Sequence, residues 1–177
     1  MNLQPTVFLR ACTALAWASR VLALLCLGAT AAALSLAEPQ ALAAQAGLAT
    51  GAAWAGTGWQ SRAAVLVLLL PVAWGALALW RLAAGFAALG ARPPALQPAH
   101  AALRGFAGHA VAATLAAVAC AAVAGVLLTW HLPGQRQLAI GVSSSQVFVL
   151  LGAALAWAFT HILAQADALA RENAGFV

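Results

Sequence analysis

The run "AAVLVLLLPVAWGALALWRLA" at residues 63–83 decides the fold, because its only charge is Arg81 near its end. A helix crossing roughly 30 Å of hydrocarbon needs about 20 mainly apolar residues. A helix also pairs every interior backbone N–H and C=O within itself, as a bilayer demands. Pro71 removes one of those bonds and predicts a kink, which neighbouring helices or water can accommodate. Three further apolar runs of spanning length lie at residues 13–37, 106–130 and 146–166. Together the four predict an all-α polytopic membrane protein: one transmembrane domain over residues 1–177, built as a four-helix transmembrane bundle.

Composition leads to the same class. With 65% hydrophobic and 6% charged residues, the chain carries more apolar surface than a soluble domain of 177 residues can bury. A net charge of +5 and a pI near 11.2 suggest nucleic acid at first sight. The arginines are scattered among apolar runs and form no basic stripe, so no direct nucleic acid binding is expected. Lys and Tyr are absent while Ala, Gly, Arg and Pro abound, a bias that GC-rich coding produces and that points to a bacterial source. Cys12, Cys26 and Cys120 are far apart and form no Cys-x-x-Cys pair, so they read as spectator thiols.

Arginine placement gives a direction. With both termini cytoplasmic, Arg10, Arg20, Arg81, Arg92, Arg104 and Arg171 lie inside and Arg62 and Arg136 outside, six against two. Trp54, Trp59 and Trp130 then fall near the outer interface and Trp17 and Trp80 near the inner one, where indoles prefer to sit. The expected location is the bacterial cytoplasmic (inner) membrane, multi-pass, with both ends inside. A competing reading makes the first span a signal peptide cleaved after Ser35-Leu36-Ala37. It ranks second, because Arg20 interrupts the apolar part.

Lipid tails are as apolar as leucine, so helices associate in a bilayer through close approach at small residues. Gly108, Ala112, Ala116, Cys120 and Ala124 recur every four residues, beside Ala113, Ala117, Ala121 and Gly125. The fourth span carries Gly152, Ala156, Thr160 and Ala164 at the same spacing. These stripes predict that the third and fourth spans form a tight antiparallel hairpin at the bundle centre. The outer loop at residues 38–62 is expected on the membrane surface, and "QLAIGV" (137–142) as a short extended segment. The inner loop at 82–105, with Gly90 and Pro93-Pro94, reads as two short amphipathic pieces around a turn.

Ionisable groups at membrane depth are costly and are therefore the functional candidates. Arg20 lies inside the first span, where a snorkelling stem competes with a buried role. His109 and His161 are expected about 7 to 9 Å inside their inner helix ends, at similar depth. With Arg20 and Gln165 they would make a polar layer that senses pH; the competing reading is histidines bonded to a neighbouring helix or to water. Two histidines do not complete a metal site, and no cofactor is expected. No HExxH, GxSxG or Walker-type loop is present and Ser143–Ser145 have no base at a recognisable spacing, so no enzyme is expected. Glu38, Asp167 and Glu172 all lie at or beyond span ends, which disfavours carboxylate-coupled transport. Asp167 and Arg171 have the acid-before-base spacing that carries a helix past the membrane, stabilising it by about 0.3–0.5 kcal/mol where exposed. Arg171, Glu172 and Asn173 are then available to a partner.

Three stretches resemble a known family. They are "LWRLAAGFAALGARPPALQPAHAALRGFAG" (79–108), with its Gly-containing turn and Ala-Leu-Arg-x-Phe segment, "PGQRQLAIGVSSSQVFVLLGA" (133–153) and the closing "ADALARENAGFV" (166–177). The pattern is similar to the small four-span bacterial membrane proteins grouped as the domain of unknown function 2975 family, and departs from it at residues 91–94. The resemblance supplies no catalytic residues. It implies partnership with a small helix-turn-helix regulator, hence a cytoplasmic or membrane regulatory protein as partner besides the lipid bilayer. The alternative reading is one subunit of a small homo-oligomeric transporter or channel with a polar layer near the cytoplasmic side.

Overall fold

The computed structural model describes residues 5–36, 58–92, 94–130 and 141–174. Four helices account for almost all of them: α1 Pro5–Leu36, α2 Gly58–Leu89, α3 Leu96–Thr129 and α4 Ser144–Ala174. All four are long and apolar enough to cross a membrane. The predicted outer-surface loop falls mostly, and the extended "QLAIGV" segment largely, outside the described residues.

The helices outrun the apolar spans read from the sequence. At 31 to 34 residues each they are about 47 to 51 Å long. Hydropathy ends a span at an arginine, but arginine and alanine are good helix formers and end no helix. Proline obstructs little where it falls: Pro5 opens α1, and Pro98 sits in the first turn of α3, where backbone N–H groups have no intrahelical partner. Helix α2 continues through Pro71. Ser143 starts α4 with a capping box, its N–H donating to Gln146 Oε1 at 2.8 Å and its Oγ accepting from the Gln146 N–H at 3.4 Å.

The predicted inner loop is corrected. Its flanks are not separate amphipathic pieces but continuations of α2 and α3, leaving a tight turn at Gly90–Ala95. The Gly90 N–H donates to Phe86 O at 2.9 Å and the Ala95 N–H to Ala88 O at 3.0 Å, which closes the last turn of α2. A Cβ at Gly90 would lie 3.1 Å from Cys12 Cβ, so α1 is seated directly on this turn.

Successive helices are antiparallel and packed on one another. The α2–α3 seam is the most extensive, α1–α2 follows and α3–α4 is the least, while α1 and α4 share no packed interface. The centre of the bundle is therefore α2–α3, not the predicted α3–α4 hairpin. Two clusters mark its length. Leu34, Ala64, Ala124 and Leu128 join α1, α2 and α3 at one end, and Ala78, Ala107, Ala110 and Ala153 join α2, α3 and α4 toward the other.

The stripes at strict four-residue spacing fail for a geometric reason. Each step of four residues rotates about 40° around a helix, so the four steps from Gly108 to Ala124 turn about 160°. One neighbour cannot meet both ends of such a stripe. Gly108 and Gly152 accordingly have nothing within 4 Å of a would-be Cβ. The inward-packed positions alternate steps of three and four instead, as in buried Ala107, Ala110 and Thr114 of α3 and in Ala153, half-buried Ala156 and Thr160 of α4.

Hydroxyls in the helices bond largely within their own helix. Ser19 Oγ donates to Leu15 O at 2.8 Å, Thr114 Oγ1 to Ala110 O at 2.9 Å and Thr160 Oγ1 to Trp157 O at 2.6 Å. Such bonds hide a polar group without joining helices.

The register sets two belts. Trp59 and Trp80 of α2 are both exposed and stand 21 residues apart, about 32 Å along the axis and close to the thickness of a hydrocarbon core. Trp130, exposed at the end of α3, lies at the Trp59 end. At the other end Arg20 approaches Trp80, and Arg81 lies over Gly105, so Arg20, Arg81 and Arg104 share one level on three helices. Beyond that level α2 and α3 run on for about two turns to Gly90, and α1 and α4 for longer.

Candidate functional site

The candidate polar groups are distributed among indoles rather than pooled. Arg20 is half-buried, with its guanidinium carbon 5.5 Å from the Trp17 ring centroid and 5.7 Å from that of Trp80. A cation facing an indole is stabilised by the ring quadrupole, about 0.5–1 kcal/mol when exposed and more when desolvated. The snorkelling expectation is met differently: Arg20 stays at the belt, held between one indole of its own helix and one of α2.

His109 sits deeper. Trp74 Nε1–H on α2 donates to His109 Nδ1 on α3 at 3.1 Å, a hydrogen bond across the central seam. Nδ1 is therefore the unprotonated ring nitrogen, since an imidazolium offers no acceptor there. Trp74 precedes Trp80 by six residues, so this bond lies about 9 Å further into the membrane than the Arg20 contact.

His161 is elsewhere again. It meets Trp157, one turn before it on α4, edge to face at a centroid distance of 4.7 Å, and both rings are exposed. The expectation of similar depth for the two histidines does not fit the register. Ala153 and Ala156 of α4 are level with Ala107 and Ala110, whereas Leu163, Ala164 and Asp167 lie beside Leu96, Gln97 and His100. His161 is thus nearer the Gly90 end than His109. Gln165, a turn further on, is exposed.

The structure thus brings Arg20, His109 and His161 each to a tryptophan and not to one another. Asp167 is half-buried and Glu172 exposed, while the side chains of Arg171 and Asn173 lie outside the described residues.

Two cavities stand out among the described residues. The larger, about 550 Å³, is an apolar cleft between α1 and α4 over the α2–α3 pair, bordered by Cys26, Gly75, Thr114 and Val149. It exists because the outer helices do not meet while the central pair presents small side chains. The smaller, about 420 Å³, lies between α3 and α4 at the Gly90 end and is lined by Gln97, His100 and Asp167 among apolar residues. Among the described residues no three His, Cys, Asp or Glu side chains group as metal ligands.

No protein-family model, curated protein or solved structure matches this chain. Its site is therefore read from its own geometry.

Sequence reasoning missed the tryptophans as partners. Two contacts were readable, because Trp17–Arg20 and Trp157–His161 are three and four residues apart and so adjacent on a helix face. The Trp74–His109 bond joins residues 35 apart and needs the register of α2 on α3. His100 and Gln97 were passed over because they lie beyond the apolar span, on helix that the hydropathy pattern does not show.

Proposed function

We propose that the chain is a non-enzymatic, four-span protein of the bacterial cytoplasmic membrane, with both termini inside, that serves as the membrane partner of a small helix-turn-helix regulator. The family resemblance supplies the kind of partner. The carrying observation is that all four helices continue beyond the belt of Arg20, Arg81 and Arg104, giving that end a helical surface outside the hydrocarbon. The same end bears six of the eight arginines, which favours the cytoplasmic side. The cavity with His100 and Asp167 offers polar groups there, and the Arg171-Glu172-Asn173 end of α4 adjoins it.

The test is co-purification of the full chain with a helix-turn-helix protein encoded beside its gene, with and without alanine at Arg171, Glu172 and Asn173. A specific complex weakened by the triple substitution is expected. A complex indifferent to it removes the tail from the interface, and reporter fusions placing the carboxyl terminus outside overturn the orientation.

The second reading, a subunit of an oligomeric transporter or channel, is favoured by the cleft that one chain leaves open between α1 and α4. Solute or ion flux through reconstituted vesicles would support it.

A further inference from the structure

Arg20 brings a charge to the membrane boundary that the protein does not fully satisfy. Its Nε is buried and has no hydrogen-bond partner. The indoles of Trp17 and Trp80 attract the cation but give its in-plane N–H donors no lone pair to bond. Trp80 is followed directly by Arg81, whose Cγ and Cδ lie 3.6 and 3.5 Å from where a Cβ would stand at Gly105. The Arg81 stem therefore lies along the α3 backbone, which keeps this second guanidinium at the level of the first. Asp167 is no counter-ion at this level, because α4 places it beside Leu96 and His100, well toward the Gly90 end, and Glu172 follows it by more than a turn.

The surface beneath the two cations is apolar. Leu77 precedes Trp80 by three residues and Arg81 by four, so it sits one turn below both on the same face of α2. Leu70 and Leu66 continue that face, and all three leucines are exposed. A pair of guanidinium groups above an exposed apolar strip, at the level of an aromatic belt, has the amphipathic profile of a phospholipid.

We propose that Arg20 and Arg81, braced by Trp80, form a binding site for the headgroup of an anionic phospholipid whose acyl chain lies along Leu77, Leu70 and Leu66. The guanidinium fork matches phosphate oxygens in geometry and charge. A zwitterionic headgroup is disfavoured, since its ammonium group would meet two arginines and find the Trp17 and Trp80 faces already occupied by Arg20. The site does not depend on which side of the membrane the Gly90 end faces, nor on any protein partner.

The test uses the full chain in nanodiscs of phosphatidylcholine doped with phosphatidylglycerol, with retained lipid counted by native mass spectrometry and the melting midpoint followed by tryptophan fluorescence. Phosphatidylglycerol is expected to be retained selectively and to raise the midpoint. Arg20→Gln and Arg81→Gln should each weaken retention about fivefold, and Arg62→Gln at the opposite belt should leave it unchanged. Arg20→Lys, which keeps the charge and guards against misfolding of the neutral variant, should retain part of the selectivity. Equal retention of phosphatidylcholine, or full retention in both Gln variants, overturns the proposal. A midpoint raised equally by 10 mM inorganic phosphate overturns the lipid assignment in favour of a free-phosphate site.

Discussion

The α2–α3 seam and the α3–α4 seam are built from the same residue types, yet the first is the extensive centre of the molecule and the second the lightest of the three seams between successive helices. Ala64, Ala78 and Ala107 are at most 5% exposed along the first. Along the second, Ala153 and Thr160 are buried while Gly152 and Ala164 are exposed. A small residue permits close approach of two backbones but does not cause it. Close approach follows where small residues keep to one neighbour over the whole helix, through alternating steps of three and four, and where a tight turn such as Gly90–Ala95 fixes the register.

The sharpest way to break this comparison is to add volume on either side of it. Ala64→Leu or Ala78→Leu should destabilise the bundle by about 1–3 kcal/mol, as overpacking in a tight core does. Ala154→Leu, on the exposed face of α4, should be close to neutral. Reversible unfolding in mixed micelles measures both, and equal costs would erase the distinction between the seams.

A somewhat smaller effect is expected at the turn. Gly90→Ala brings a methyl to 3.1 Å from Cys12 Cβ, so α1 must shift by a few tenths of an ångström. The expected cost is about 1 kcal/mol, with faster maleimide labelling of Cys12, which is buried in the wild type. Unchanged Cys12 labelling would show that α1 is not seated there.

The polar groups repeat the contrast between centre and edge. A double-mutant cycle with Trp74→Phe and His109→Phe should return a coupling of about 0.6 kcal/mol, the usual scale for a hydrogen bond between membrane helices. His161→Ala on the periphery should change stability by less than about 0.5 kcal/mol and be seen mainly in Trp157 emission. A larger effect at His161 than at His109 would reverse their assignment to edge and centre.

Four spans were legible because uninterrupted apolar runs such as residues 63–80 have no other stable state. The helix ends were not, since hydropathy reports where lipid stops and not where hydrogen bonding does; Leu82–Leu89 and Leu96–Leu103 are helical beyond the belt for that reason. The central pair was misassigned because alanine spaced by four is abundant in this chain, and its drift around the helix leaves Gly108 and Gly152 in open space. Among the polar candidates, Arg20, His109 and His161 stand out in the sequence for their place inside or beside apolar runs. Their tryptophan partners become visible only when helix faces and interhelical register are considered together, and Asp167 acquires His100 as a neighbour in the same way.

The central claim is that α2 and α3 are packed along their whole length while α1 and α4 flank them without meeting. Disulfide formation in a variant with Cys12, Cys26 and Cys120 replaced by alanine tests it most directly. Ala64→Cys with Ala124→Cys, both fully buried in one cluster across the α2–α3 seam, should cross-link readily under mild oxidation. Ala23→Cys on α1 with Ala153→Cys on α4 should not cross-link within the monomer. An efficient α1–α4 disulfide, or failure of the α2–α3 pair, would contradict the architecture.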